Sequence, residues 1–382
     1  MLRNRIYYRV KPYIPQSLRT ALRRRIALRL RKTVADVWPI WPGSEQPPKN
    51  WAGWPEGKKF AFVLTHDVES APGLQKCRSL MHLDREFGFR SSFNFVPEGD
   101  YQLPSDLREE LTQSGFEVGI HDLRHDGRLY QSHREFCHRA MRINRYLGEW
   151  GATGFRSAFM LHNLDWLHEL EIQYDASTFD TDPFEPQPEG RHTIFPFWVP
   201  APGEQRSDPP MGRFPVAKVR SADGQIPGGE GQPPSRLRRP GKSEGRAPEF
   251  RHSPVAPNLS EGGGYVELPY TLPQDFTLFV LLGEKTAGIW QRKLDWIAEH
   301  GGMALFITHP DYMKFPDEAG EKAAEYPIEL YKQFLEYVRS RYSGQYWHAL
   351  PREVAAHLVR SERSSGSARS IFENSSLLLE EK

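Results

Sequence analysis

The sequence predicts an α/β protein built on a mainly parallel sheet. Two observations carry that expectation. From about Lys59 onward, short apolar runs alternate with helix-like stretches, the pattern of βα units. Three of the runs, FAFVLTHD, FEVGIH and MALFITH, also end in His or Asp. In barrels and open α/β sheets the functional groups collect at the C-terminal ends of strands.

The chain has 382 residues, enough for one large α/β domain with a substantial core. Its formal net charge is +1, so the molecule as a whole is no polyanion binder, and nothing beyond the N-terminus is basic enough for nucleic acid. Two cysteines, Cys77 and Cys137, exclude a disulfide framework and a four-thiolate zinc site. No apolar run reaches the length of a membrane span, and the N-terminus lacks the apolar core of a secretory signal, so cytoplasmic residence is expected.

Residues 1–58 read as a basic arm. Positions 1–35 hold eleven Arg or Lys and no Asp or Glu. QSLRTALRRRIALRLRK, Gln16 to Lys32, reads as a helix with Leu18, Ala21, Leu22 and Ile26 at helical spacing. Trp38, Trp41, Trp51 and Trp54 follow. Either residues 1–35 make peripheral contact with an anionic membrane, with the tryptophans at its interface, or the arm packs across the main domain.

The main domain is expected over 59–360. Strands are read in FAFVLTHD, FEVGIH, IQYDAS, YVELPY and MALFITH. Helices are read over Asp106–Ser114, His133–Glu149, Leu164–Glu171, Thr286–His300 and Ile328–Tyr342. From about 200 to 264 the chain is crowded with Pro, Gly and Arg and cannot bury enough apolar surface to offset its ordering entropy, so a flexible, disordered insertion is expected there. Its flanks, TIFPFWVP and GYVELPYTLP, are expected to be neighbours in space. A disordered tail is expected over 361–382.

The stretch GIHDLRHDG holds His121 and His125 four positions apart. As a helix it would imitate a zinc protease motif with Asp in place of Glu, but the strand-like FEVGI, Gly119 and Gly127 oppose a helix. At a strand end the two imidazoles meet one metal ion from the same side. Two His and one carboxylate leave positions open for water and substrate. THDVE, Thr65 to Glu69, supplies the carboxylate: Asp67 sits at the end of the first strong strand candidate with Glu69 two residues on, and THPDY lies downstream.

With these stretches the chain resembles the polysaccharide deacetylase family, the one named for the NodB homology region. The likeness runs from about Phe60 to Pro351 apart from the insertion. Its five ordered motifs correspond to THDVE, to His121 and His125, to Arg156 in GFRSAF, to Asp175 or Asp180 in YDASTFD, and to His309 in LFITHP. The resemblance implies a distorted (β/α)7 barrel. It implies a divalent metal, with zinc first, on Asp67, His121 and His125. The family's two adjacent aspartates are reduced here to Asp67, so the base falls to Glu69 first and His66 second. Asp122 stands for a usual Ser or Thr, and GFRSAF lacks the family's Pro-Tyr. His309, held by Asp175 or Arg156, would protonate the departing amine.

The implied reaction is metal-dependent removal of acetyl groups from N-acetylated sugars of a polysaccharide or glycan precursor. Two alternatives stand beside it: the same barrel acting on another C–N amide or an O-acetyl ester, and a catalytically weak relative that binds a glycan or a membrane. For single residues the plainer readings are a core histidine at His309 and a structural ion pair between Arg156 and Asp175. Tyr174, Phe179, Phe184 and Trp198 are candidates for a sugar groove, or for core.

Overall fold

The computed structural model describes residues 16–49, 51–203, 263–316 and 324–361, with side chains from residue 21 onward. The expected insertion lies outside these residues from 204 to 262, as does the tail from 362.

The helix α1 spans Gln16–Thr33. The strands that follow are β1 (Phe60–Val68), β2 (Ser91–Phe95), β3 (Glu117–His121), β4 (Gly154–Arg156), β5 (Tyr174–Asp175), β6 (Phe197–Val199), β7 (Tyr265–Glu267) and β8 (Met303–Thr308). Seven of them run parallel in the order β8-β1-β2-β3-β4-β5-β7. Just beyond β7, Leu272 bridges to Phe306 in β8, with Leu272 N donating to Leu305 O at 3.2 Å, and the ring closes. This is the distorted seven-stranded barrel. The flanks of the insertion are indeed neighbours: β6 pairs antiparallel with β7, Trp198 opposite Val266.

Helices α2 (Ala71–Glu86), α3 (Ser105–Gln113), α4 (His133–Trp150), α5 (Gly288–His300) and α6 (Ile328–Arg341) accompany the strands. The helix expected over 164–171 is only a 3-10 turn, Trp166–Glu169. Asn163 explains it: its Oδ1 accepts from Asp165 N at 3.1 Å and Trp166 N at 3.2 Å, an Asx turn that competes with helix.

Side-chain alternation along β1 decides what reaches the site. Phe60, Phe62 and Leu64 join the large cluster that also holds Leu80, Trp290 and Phe334 of the helical layer. Ala61 and Val63 join the interior cluster with Val266, Leu305 and Ile307. Thr65 and Asp67 share the interior parity, and His66 faces outward. In β2, Phe93 and Phe95 face the helices. Ser92 and Asn94 take the opposite parity, a polar inward face that a search for apolar runs passes over.

The described part of the arm packs across the domain. Trp38 and Trp54 are buried, Trp38 edge-on to Phe184 at 5.1 Å, and Trp54 Nε1 donates to Gly301 O at 2.7 Å. Trp51 packs on Trp54 at 4.8 Å, and Trp41 lies 3.9 Å from the His192 ring. These tryptophans are therefore packed against protein, not presented at an interface. Ala27 of α1 is buried and Arg31 pairs with Glu284, which fixes the helix against the π-helical segment Phe276–Leu282. No described helix is long and apolar enough to cross a membrane.

Candidate active site

The C-terminal ends of β1 and β3, with the turns that follow β4 and β8, meet at a cavity of about 90 Å³. Asp67, Glu69, His121, His125 and His309 line it. Phe159, Met160, Phe184, Phe276 and Tyr312 supply apolar wall, and Arg23 of α1 reaches its edge.

GIHDLRHDG is not helical. His121 ends β3, and Asp122 and His125 adopt φ of 57° and 50°, the left-handed region that only a tight turn accommodates. The turn sets the two imidazoles 5.0 Å apart, centroid to centroid. His121 Nδ1 lies 3.2 Å from Arg156 O. A carbonyl only accepts, so Nδ1 carries the proton and Nε2 offers its lone pair. Burial, eased by Asp67 and Glu69, lowers His121 to about 4, so it is neutral at pH 7. The ring of His125 packs on Phe159 at 4.6 Å. Phe159 itself has φ 56°, strain of the kind that gathers at functional sites.

The atoms of Glu69, His121 and His125 that can ligate a cation lie within 4.8 Å of one another. Asp67, the expected third ligand, is not in this group. Its Oδ1 is already occupied, accepting from Arg156 Nη1 at 2.9 Å and Asn94 Nδ2 at 2.8 Å. Burial alone would raise Asp67, but Arg156, the nearby histidines and Asn94 hold it down at about 2. Asn94 fits there because β3 carries Gly119: a Cβ at Gly119 would sit 2.2 Å from Asn94 Oδ1.

Glu69 is held from the THPDY stretch. Tyr312 OH donates to its Oε2 at 2.8 Å, and its backbone N donates to Asp311 Oδ2 at 3.0 Å. Its Oε1 lies 3.0 Å from His125 Nε2 and 3.8 Å from His309 Nε2. Against burial, the charge of His125 keeps Glu69 below the usual carboxylate range. The 3.0 Å contact pairs His125 Nε2 with Glu69, whereas the buried Nε2 of His121 has no hydrogen-bond partner. Orphaned buried polar atoms require an explanation. Two imidazole nitrogens, one of them unpartnered, beside an ionised carboxylate are the donor set of a divalent cation such as zinc. The residues fit the metal.

His309 is held by neither Asp175 nor Arg156. Its Nδ1 lies 2.6 Å from Asp275 Oδ1, and its backbone N donates to Asp275 Oδ2 at 2.8 Å. Burial opposes the charged imidazolium, but Asp275, Glu69 and Asp67 outweigh it and raise His309 to about 10. Asp275, just before the π-helical segment, is the residue the sequence reading missed. Asp175 lies elsewhere, accepting from Ser177 Oγ at 2.7 Å and sharing a hydrogen bond with Glu267. Arg156 bonds Thr65, Asp67 and the Ala176 carbonyl, so the Arg156–Asp175 pair does not form.

His66 is not in the site. Strand alternation turns it outward, where Nδ1 meets Thr308 Oγ1 at 2.7 Å and Nε2 meets Asp84 Oδ2 at 2.8 Å. Asp180 forms a buried ion pair with Lys293 at 2.5 Å. Of the aromatics considered for a sugar groove, Phe184 lines the cavity, while Tyr174 and Phe179 are buried in the interior cluster with Trp198 packed against it.

No family profile and no curated protein matches the chain. Among solved structures it is similar to a Mycobacterium smegmatis protein provisionally assigned as a polysaccharide deacetylase. That match has TM-score 0.49 and 16% identity and covers 83% of this chain and 96% of that one. A second similarity is to the peptidoglycan deacetylase PdaC of Bacillus subtilis, with TM-score 0.28 and 17% identity over 34% of this chain and 62% of that one. A third is to the chitin deacetylase of Colletotrichum lindemuthianum, with TM-score 0.26 and 13% identity over 31% of this chain and 56% of that one. Identities this low relate folds at most, not activities.

Proposed function

We propose that the chain is a metal-dependent hydrolase that removes acetyl groups from N-acetylated sugars of a polysaccharide or glycan precursor. One observation carries the reading: two imidazole nitrogens and a carboxylate with ligand atoms within 4.8 Å of one another share a cavity with a second carboxylate and a charged histidine.

Glu69, His121 and His125 are the residues that would hold the cation, with zinc first. When bound, it supplies Lewis acidity toward an amide carbonyl. The remaining work belongs to the chain. Asp67, kept ionised by Arg156 and Asn94, accepts the proton of the attacking water. As the new C–O bond forms and the C–N bond breaks, the nitrogen needs a proton to leave as an amine. His309 Nε2 carries one, because Asp275 holds Nδ1 and keeps the ring charged. Phe159, Phe276 and Tyr312 offer apolar faces to a sugar ring. Acetate and an amino sugar result.

In this reading Asp67 and Glu69 exchange the roles suggested by resemblance. Glu69 is the ligand because Tyr312 and Asp311 aim it at the histidines. Asp67 is the base because Arg156 and Asn94 occupy its Oδ1 and keep it ionised.

The test is acetate release from N-acetylglucosamine oligomers by the full chain, with zinc and after chelation. Release that disappears on chelation and returns with metal is expected. A zinc-loaded protein that releases no acetate from N-acetylated sugars overturns the reading.

A further inference from the structure

We propose that His133, Cys137 and Glu169, none of which lines the cavity, form a second metal site that takes zinc or another thiophilic divalent cation. His133 and Cys137 stand one turn apart on the same face of α4, the spacing that brings helical side chains together. Ser132 caps that helix, its Oγ accepting from Glu135 N at 3.2 Å, so the first turn is well set. Glu169 comes from the 3-10 turn Trp166–Glu169. Its position against α4 is fixed independently by Asn144, whose Nδ2 donates to Glu169 O at 2.9 Å and whose Oδ1 accepts from Glu171 N at 3.0 Å. The His133 ring lies against Trp166 at 5.2 Å.

The spacing suits a cation. The ligand atoms lie within 4.8 Å of one another. His133 Nε2 is 3.5 Å from Cys137 Sγ and 3.7 Å from Glu169 Oε1. Tetrahedral zinc, with Zn–N of about 2.0 Å and Zn–S of about 2.3 Å, sets its nitrogen and sulfur ligands about 3.5 Å apart. The carboxylate is a few tenths of an ångström wide of its place, and both Glu169 and His133 are half exposed and free to close that gap. A thiolate and an imidazole favour zinc over the hard cations. Water completes the coordination, and the Cys137 thiol proton passes to solvent on binding.

An ion here would tie the start of α4 to the far end of the segment that follows β4. The near end of that segment carries Phe159 and Met160, which wall the cavity. The site is thus a clamp on one wall of the pocket, and it stands whether or not the deacetylase reading does.

Cobalt distinguishes the two sites, because no cysteine lines the cavity. The full chain loaded with Co²⁺ should bind two ions and show a near-ultraviolet thiolate-to-cobalt band. Cys137→Ser should lose that band and one ion per chain, while Cys77→Ala, changing a buried thiol, keeps both. Zinc should also slow alkylation of Cys137 in the unmutated protein at least tenfold, a readout that needs no variant to fold. A missing band, a band that survives Cys137→Ser, or unprotected Cys137 overturns the proposal.

Discussion

His309 directs its Nδ1 at Asp275 across 2.6 Å, and the same carboxylate accepts the backbone N–H of His309. One aspartate thus fixes the ring's orientation and its charge. Nε2 is left facing the cavity with a proton to give.

Asp275→Asn removes that charge and should lower kcat by about 10² or more, the usual worth of an acid-base group. It should also move the alkaline limb of the pH–rate profile to lower pH. The sign follows from the raised His309: the imidazolium persists to about 10 with Asp275 ionised and deprotonates earlier without it. An unmoved limb with wild-type kcat would remove His309 as the acid.

Tyr312 donates to Glu69 Oε2 at 2.8 Å and so aims Oε1 at the histidines. Tyr312→Phe should weaken zinc affinity by about 10- to 100-fold, the customary cost of losing a partner behind a ligand. Competition with a colorimetric chelator measures it. Unchanged affinity would mean that Glu69 is not a ligand.

His66 serves stability. Its imidazole bridges Thr308 and Asp84, and Asp84 also accepts from Ser91 Oγ and Tyr331 OH, both at 2.7 Å. His66→Asn should cost about 1–3 kcal/mol in urea unfolding by leaving buried partners unsatisfied, with zinc content unchanged. Loss of metal at full stability would return His66 to the site.

His348 makes stability depend on acid. Burial lowers it to about 4; its Nε2 accepts from Arg90 N at 2.8 Å. The unfolded chain takes up this proton near the ordinary histidine value of about 6.5, and the folded chain resists. Stability is full above that value and falls as pH drops toward 4, by about 3 kcal/mol for this residue. His162 is lowered in the same direction, so His348→Gln should remove only its own share of the slope. Thermal melts across this range that run parallel in variant and wild type would contradict the assignment.

Helix α1 presents Leu22 and Ile26 to solvent, more than half and about half exposed, with Arg25 and Arg29 on the same side. The membrane reading of residues 1–35 therefore rests on this face and not on the tryptophans. Leu22→Ser with Ile26→Ser should reduce sedimentation with anionic liposomes severalfold. Equal binding by variant and wild type would leave the face without a membrane role.

Much of the barrel and the principal cavity histidines were legible as apolar runs ending in His or Asp, because strand ends in parallel barrels aim side chains at one rim. THDVE and THPDY were legible as stretches, but not in their internal division of labour. Strand alternation along β1 already separates His66 from Thr65 and Asp67, so that correction was available from period two. The choice between Asp67 and Glu69 was not. It depends on Asn94, Arg156, Asp311 and Tyr312, which meet only in the folded ring. Asp275 lies 34 residues before His309 in an apolar stretch without a motif, and only barrel closure brings the two together.

The central claim is that Glu69, not Asp67, completes the metal set with His121 and His125. Zinc per chain in Asp67→Asn and Glu69→Gln, measured on folded protein, tests it most directly. The account predicts that Asp67→Asn keeps its cavity zinc and loses acetate release, while Glu69→Gln loses both. Zinc lost from Asp67→Asn and retained by Glu69→Gln would contradict it.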